Sequence, residues 1–327
     1  MPVIFSSEYQ PSFFFRNSDI NTIYPNLFRK FHDFKYRRER IKTSDGDFLD
    51  LDYSFVGSRS AVIICHGLEG NSFRHYMIGM VKALNRENVD AISFNFRGCS
   101  GEPNKLPYSY HSGFTIDLHE VIHHVQKKYS QVYLVGFSLG GNVILKYLGD
   151  KKYKISKKIK KAVVFSVPCD LAASSKKIAK IRNYIYSKRF LMMLIKKIKE
   201  KMKIHPELIH YKSSKGINSI IDFDNCYTAK LHGFNDADDY YRKCSSKYYI
   251  KNIKVPTQII SALDDPFLTE ECYPISEAIK NNNVTLTLTE FGGHMGYVIK
   301  NSKETWLDRI AVEILRDGKN KNLTNIR

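Results

Sequence analysis

The chain of 327 residues carries 51 lysines and arginines against 33 acidic residues, a formal net charge of +18. Its six cysteines, at 65, 99, 169, 226, 244 and 272, form no C-x-x-C pair, which argues against a disulfide framework or a zinc finger and for a reducing compartment. No stretch of about 18 apolar residues is present to cross a membrane. The first fifteen residues lack the basic start of a signal peptide and are interrupted by Glu8, Gln10 and Pro11, so a cytoplasmic location is expected.

The turn Ser44-Asp45-Gly46-Asp47 precedes an apolar-polar alternation over Phe48 to Phe55, which predicts an early antiparallel strand. Ala61-Val62-Ile63-Ile64-Cys65 is a short apolar strand that runs into His66-Gly67-Leu68-Glu69-Gly70. Neither G-x-G-x-x-G nor G-K-[ST] follows it, so a nucleotide loop is not indicated. A His-Gly-x turn at this place suits an oxyanion site, where the Leu68 N–H would face the charge that develops on a carbonyl oxygen during acyl transfer.

A further strand signal centres on Ile92. It is followed by His119-Glu120-Val121-Ile122-His123, which matches the zinc-protease pattern H-E-x-x-H. Here Leu118, Val121, Ile122 and Val125 make the apolar stripe of a helix and the two histidines lie off it. A third ligand is also missing from the expected spacing: Gln126 and Tyr129 stand where glycine and histidine would be needed, and no glutamate occurs between 121 and 150. The motif is therefore assigned to a surface helix, with no metal.

Gln131 to Val135 is β-branched and aromatic, the composition of a buried strand, and Asn142 to Leu148 has helical apolar spacing that stops at Gly149. Between them lies Gly136-Phe137-Ser138-Leu139-Gly140. A G-x-S-x-G joining a strand to a helix is a nucleophile elbow: the turn has no room for side chains at its flanks, and it lifts the serine hydroxyl above the sheet. Ser138 is the expected nucleophile and the Leu139 N–H the second oxyanion donor.

After the strand signal at Val163 the alternation of strands and helices breaks from Asp170 to about Ser246. Lysines are dense here: seven lie within 151–161, and eleven basic residues lie within 176–203 against the single acid Glu200. Apolar residues interleave the second run, notably Phe190, Leu191 and Ile195. Such a segment reads as a helix with a solvated lysine face, as a basic amphipathic helix on anionic lipid, or as a nucleic-acid patch. No nucleic-acid-binding motif accompanies the charge, and a nucleic-acid partner is not expected.

Strand signals return at Val255 to Ser261, ending in Ala262-Leu263-Asp264-Asp265-Pro266-Phe267, and at Val284 to Glu290, ending in Phe291-Gly292-Gly293-His294-Met295-Gly296-Tyr297. A nucleophilic serine needs a base and an acid to orient that base. Asp265 and His294 follow Ser138 in that order, each on a loop past the carboxyl end of a strand, where an open α/β sheet presents its site. Alternating strands and helices predict a doubly wound, mostly parallel sheet.

The motifs HGLEG (66–70), NFRGCSGEPN (95–104), YHSG (110–113), GFSLGGN (136–142), LHGFNDADDYY (231–241), ALDDPF (262–267) and GGHMGY (292–297) together resemble the YheT-like branch of the α/β-hydrolase superfamily. The opening Phe15-Arg16-Asn17 and Asn21 to Pro25 resemble its first segment as well. The resemblance implies an α/β-hydrolase fold with a helical cap inserted after the sixth strand, dividing the chain into core 1–169, cap 170–246 and core 247–327. It also implies Asp265, before the proline, as the histidine's partner, with Asp264 structural. The expected activity is cofactor-free hydrolysis of short- to medium-chain or lipid-derived carboxylic esters through an acyl-enzyme, with the lysine-rich cap open to peripheral contact with anionic membrane. Two alternatives remain at this stage: an acyltransferase in which an alcohol replaces water, and a non-catalytic binding protein that uses the basic cap. The oligomeric state, acyl length and head group are not encoded in these motifs.

Overall fold

The computed structural model describes residues 2–211 and 216–316. Strands β1 (Val3–Ser6), β2 (Arg37–Lys42), β3 (Phe48–Ser54), β4 (Ser60–Cys65), β5 (Asp90–Asn95), β6 (Gln131–Phe137), β7 (Ile159–Phe165), β8 (Thr257–Ala262) and β9 (Val284–Thr289) form one sheet. Their order is β1-β9-β8-β7-β6-β4-β5-β3-β2. All neighbours run parallel except at one edge, where β3 is antiparallel to both β5 and β2.

The strand sequences explain why both faces are covered. In β4, Ala61, Ile63 and Cys65 join one apolar cluster while Val62 and Ile64 join the other, so a five-residue apolar run serves two layers. Outside the sheet the chain forms helix α1 (Ser18–Phe28) and then α2 (His75–Arg86), α3 (Thr115–Val125) and α4 (Leu139–Gly149). On the first face the sheet meets α3 and α4 through Leu118, Val121, Ile122, Val143 and Ile144. On the second it meets α2 through Met77, Met80 and Leu84.

Two strands escaped the sequence reading. The four residues of β1 pair only with β9, at the sheet's edge. The β2 sequence Arg-Arg-Glu-Arg-Ile-Lys has no strand-like composition, but two of its three arginines sit opposite acids: Arg38 faces Asp52 and Arg40 faces Asp50 in register, with Nε–Oδ1 distances of 2.7 Å in each pair. Cross-strand ion pairs thus hold a charged edge strand that local pattern conceals.

Between β7 and β8 the chain is helical: α5 (Leu171–Ile178), α6 (Tyr184–Ile204), α7 (Ile220–Phe223), a π-helical turn (Asp224–Thr228), α8 (Ala229–Leu231) and α9 (Ala237–Cys244). Counted from β2 this insertion follows the sixth strand; the edge strand β1 adds one before it. Helices α10 (Ile275–Ile279) and α11 (Trp306–Arg316) complete the described chain, α11 joining α2 on the second face through Leu307 and Ile310. The last part of the expected 247–327 segment, 317–327, lies outside the described residues. Among the described residues no helix is long and apolar enough to cross a membrane.

Candidate active site

Strand β6 delivers Ser138 into the left-handed region, at φ 51° and ψ −118°, before α4 begins at Leu139. The flanking glycines are forced by contact. A Cβ on Gly140 would lie 2.4 Å from the Cys65 carbonyl oxygen and 2.5 Å from that of His66, and one on Gly136 would lie 2.8 Å from Gly141 Cα. The elbow is therefore pressed against the end of β4, which brings the HGLEG loop alongside the serine: a Cβ on Gly67 would be 3.4 Å from Ser138 Cβ.

Asp265 and His294 converge on the same point from β8 and β9. His294 Nε2 is 3.0 Å from Ser138 Oγ, and His294 Nδ1 is 2.8 Å from Asp265 Oδ2. The other carboxylate oxygen of Asp265 accepts the Phe267 N–H at 2.8 Å, which fixes the plane of the group. Asp264 points elsewhere: its Oδ1 accepts the Gly293 N–H at 2.9 Å and ties the acid loop to the histidine loop. Burial pushes its carboxyl up to about 6.

In loop 66–70 three N–H groups have acceptors. Gly67 donates to Tyr76 OH at 3.1 Å, Glu69 to Tyr110 OH at 2.7 Å and Gly70 to the Gly67 carbonyl at 2.9 Å. The Leu68 N–H has no acceptor among the described residues, and neither has that of Leu139, at the first turn of α4, where the helix supplies none. Both residues line the cavity onto which Ser138 opens. His66 holds this loop from below. Its Nε2 accepts the Phe96 N–H at 3.1 Å, so Nδ1 carries the proton and donates to the Gly67 carbonyl at 2.7 Å. Complete burial drives the imidazole down to about 3, which keeps it neutral.

The cavity has about 1130 Å³ of empty space, counting its opening to solvent. Phe190, Leu194 and Ile198 of α6, with Ile220 and Phe223 of α7, give it an apolar wall. This changes the picture of the lysine-rich segment. Phe190 lines the cavity, and Leu191 packs into the cluster formed by α6 and α7, so neither faces outward. Lys197 is also internal: its ammonium lies 2.7 Å from Glu69 Oε1 and over the Tyr110 ring at 4.8 Å. Burial opposes that charge, but Cys99 and Glu69 beside it outweigh burial and raise the group above its usual value. Lys201 is buried on the carbonyls of Asn104, at 2.6 Å, and Leu106. Residues exposed along this stretch include Ile181, Ile185, Met192, Lys188, Lys196 and Lys199.

Sequence reasoning also missed the clamp on the histidine loop. Thr22 Oγ1 of α1 accepts the His294 N–H at 2.9 Å, and Asn21 Oδ1 accepts that of Val298 at 3.2 Å. Both belong to the N-terminal stretch that resembles the family's opening segment, which was the available signal. In the H-E-x-x-H stretch, Glu120 accepts the Ser44 N–H at 3.1 Å and His119 stacks on Tyr153 at 4.8 Å, so these side chains dock α3 on its surroundings.

With this architecture the chain belongs to the α/β-hydrolase fold family, whose profile matches residues 60–300. It is 34% identical over 301 residues to the putative esterase YheT of Escherichia coli K12, covering 90% of this chain and 88% of that one. It is 32% identical to the human phospholipase ABHD3, over 86% of this chain and 72% of that protein. Among solved structures, an esterase of Pyrococcus furiosus superposes with a TM-score of 0.57 at 18% identity, covering 86% of this chain and 90% of the other, a likeness of fold.

Proposed function

We propose that this carboxylic ester hydrolase is a serine enzyme that works through an acyl-enzyme. The observation that carries the reading is the continuous chain Ser138 Oγ, His294 Nε2, His294 Nδ1, Asp265 Oδ2, with spacings of 3.0 and 2.8 Å, beside two N–H groups that lack acceptors among the described residues. In this mechanism Ser138 attacks the acyl carbonyl while His294 takes its proton, and Asp265 holds the imidazole with Nδ1 protonated and stabilises the imidazolium. The N–H groups of Leu68 and Leu139 receive the oxyanion, a contribution of about 10²–10³-fold per donor. His294 then protonates the leaving alcohol, and water activated by the same histidine releases the acid.

The names of the relatives, an esterase and a phospholipase, support acyl esters as substrates, and the apolar wall supports a short- to medium-chain or lipid-derived acyl group. The insertion 170–246 is the cap of this site, the enclosing core being 1–169 and 247–327. We place the enzyme in the cytoplasm, with the exposed lysines and isoleucines of α6 and the turn before it as a surface for peripheral contact with anionic membrane. A fluorophosphonate probe and a p-nitrophenyl ester series from two to sixteen carbons test the mechanism. Ser138→Ala should abolish labelling and cut turnover on the order of 10⁴–10⁶-fold while the protein stays folded. A variant that keeps a tenth of wild-type turnover would assign the chemistry to another residue.

A further inference from the structure

Two motifs of the sequence, YHSG at 110–113 and LHGFNDADDYY at 231–241, have no part in the chemistry above, yet they meet in the wall of the same cavity. Tyr240 OH accepts the Ser112 N–H at 3.0 Å, and the His111 and His232 rings lie 4.4 Å apart. Beside them the helix from α7 to α8 widens into its π-helical turn, a local geometry that recurs at functional sites. The turn begins at Asp224, which lines the cavity with Tyr227 and Thr228.

The polar groups of this wall are oriented. The Asp224 carboxylate accepts from Thr228 Oγ1 and from Tyr241 OH, each at 2.7 Å, and has no cationic partner among the described residues. Each oxygen therefore keeps a lone pair free. His111, 8% exposed, accepts the Gly113 N–H on Nδ1 at 3.1 Å. Burial, with His232 and Lys146 nearby, holds this imidazole far below its usual value, so it is neutral and its proton sits on Nε2. That N–H has no protein acceptor among the described residues. An N–H donor and a carboxylate acceptor thus line a cavity to which α6 contributes the apolar side chains Phe190, Leu194 and Ile198.

We propose that the Asp224–His111 wall is a binding site for a hydroxyl-bearing group, the alcohol part of the ester, while the α6 side chains take the acyl chain. A hydroxyl both donates and accepts, which matches the pair. The assignment rests on the serine-esterase reading and deepens it.

The test compares kcat/KM for 2,3-dihydroxypropyl butyrate and propyl butyrate, which share the acyl group and differ only in hydroxyls. Wild type should prefer the dihydroxy ester at least tenfold. Asp224→Asn and His111→Asn should each shrink that ratio about 10- to 100-fold, as expected for loss of a hydrogen bond to a charged or oriented buried group. Asn at 111 retains an acceptor for the Gly113 N–H while losing the Nε2 donor, so the two variants probe the wall independently if one folds poorly; melting curves and probe labelling confirm the fold. A wild-type ratio near one, or equal loss on both esters in both folded variants, overturns the site and leaves the esterase reading standing. Absence of probe labelling and of turnover of either ester by wild type would remove both.

Discussion

Replacing Asp265 by Asn tests the proposed catalytic carboxylate against its neighbour Asp264, because the geometry dictates how the amide must sit. The Phe267 N–H, 2.8 Å from Oδ1, requires an acceptor, so the amide oxygen takes that place. The amide NH₂ is then left facing His294 Nδ1, where the carboxylate oxygen stood at 2.8 Å. Two donors cannot share that contact, and Nδ1 must become the acceptor. The imidazole proton moves to Nε2, 3.0 Å from Ser138 Oγ, and the nucleophile loses its base. The same tautomer error in another serine hydrolase costs about 10⁴-fold in kcat, equivalent to roughly 5.5 kcal/mol of transition-state stabilisation at 1.36 kcal/mol per decade. At Asp264 the amide oxygen can go on accepting the Gly293 N–H, so Asp264→Asn should lose less than about tenfold. The assay is kcat/KM for p-nitrophenyl butyrate on variants whose melting is checked. Asp265→Asn activity within tenfold of wild type, or the reverse order of losses, would refute the reasoning.

Lys197→Met should destabilise the contact between α6 and loop 66–70 by up to about 3 kcal/mol, since Glu69 keeps the Tyr110 hydroxyl but loses its cationic partner. Lys196→Met, at a side chain 79% exposed, should fall within about 0.5 kcal/mol in the same urea titration; equal effects would contradict the burial of Lys197. Asp224 should make stability fall with pH. Burial holds its folded carboxyl up to about 6 against an ordinary 3.8, so the folded state binds more protons between those values. The stabilisation is complete below about 3.8 and lost as pH rises through 6, at most about 3 kcal/mol, and the wild-type curve should lose this slope in Asp224→Asn. A slope unchanged by the substitution would place the titration elsewhere. The protein should sediment with anionic vesicles at low salt and release as salt rises, each exposed lysine contributing on the order of 1 kcal/mol. Lys188→Glu, Lys196→Glu and Lys199→Glu together should abolish this, and equal binding by wild type and triple variant would leave these lysines as a solvated face.

The groups around Ser138 were legible because each is announced by covalent geometry that few sequences satisfy. Gly140 must lack a Cβ where α4 meets the β4 carbonyls, and the strands before Asp265 and His294 are plain β-branched runs. The nine-stranded sheet was legible where apolar alternation or apolar runs mark it, and illegible at β2, whose stability comes from acids ten or more residues away.

The lysine-rich helix α6 shows where the limit lies. Lys196, Lys197, Lys199 and Lys201 look alike in sequence, and the helical period says only that some share a face. What distinguishes Lys197 is Glu69, more than a hundred residues earlier, and what distinguishes Lys201 is a pair of carbonyls on the 104–106 loop. A long side chain with an apolar stem and a charged tip serves a solvated face or a buried ion pair equally well, and only the partner decides. The Lys197–Glu69 pair joins the insertion to the loop whose Leu68 lines the cavity. The position of α6 and the shape of the proposed oxyanion site are therefore coupled, through this ion pair and through Leu68, which packs against the cluster of Leu194 and Ile198, and displacement of α6 would perturb the proposed donor.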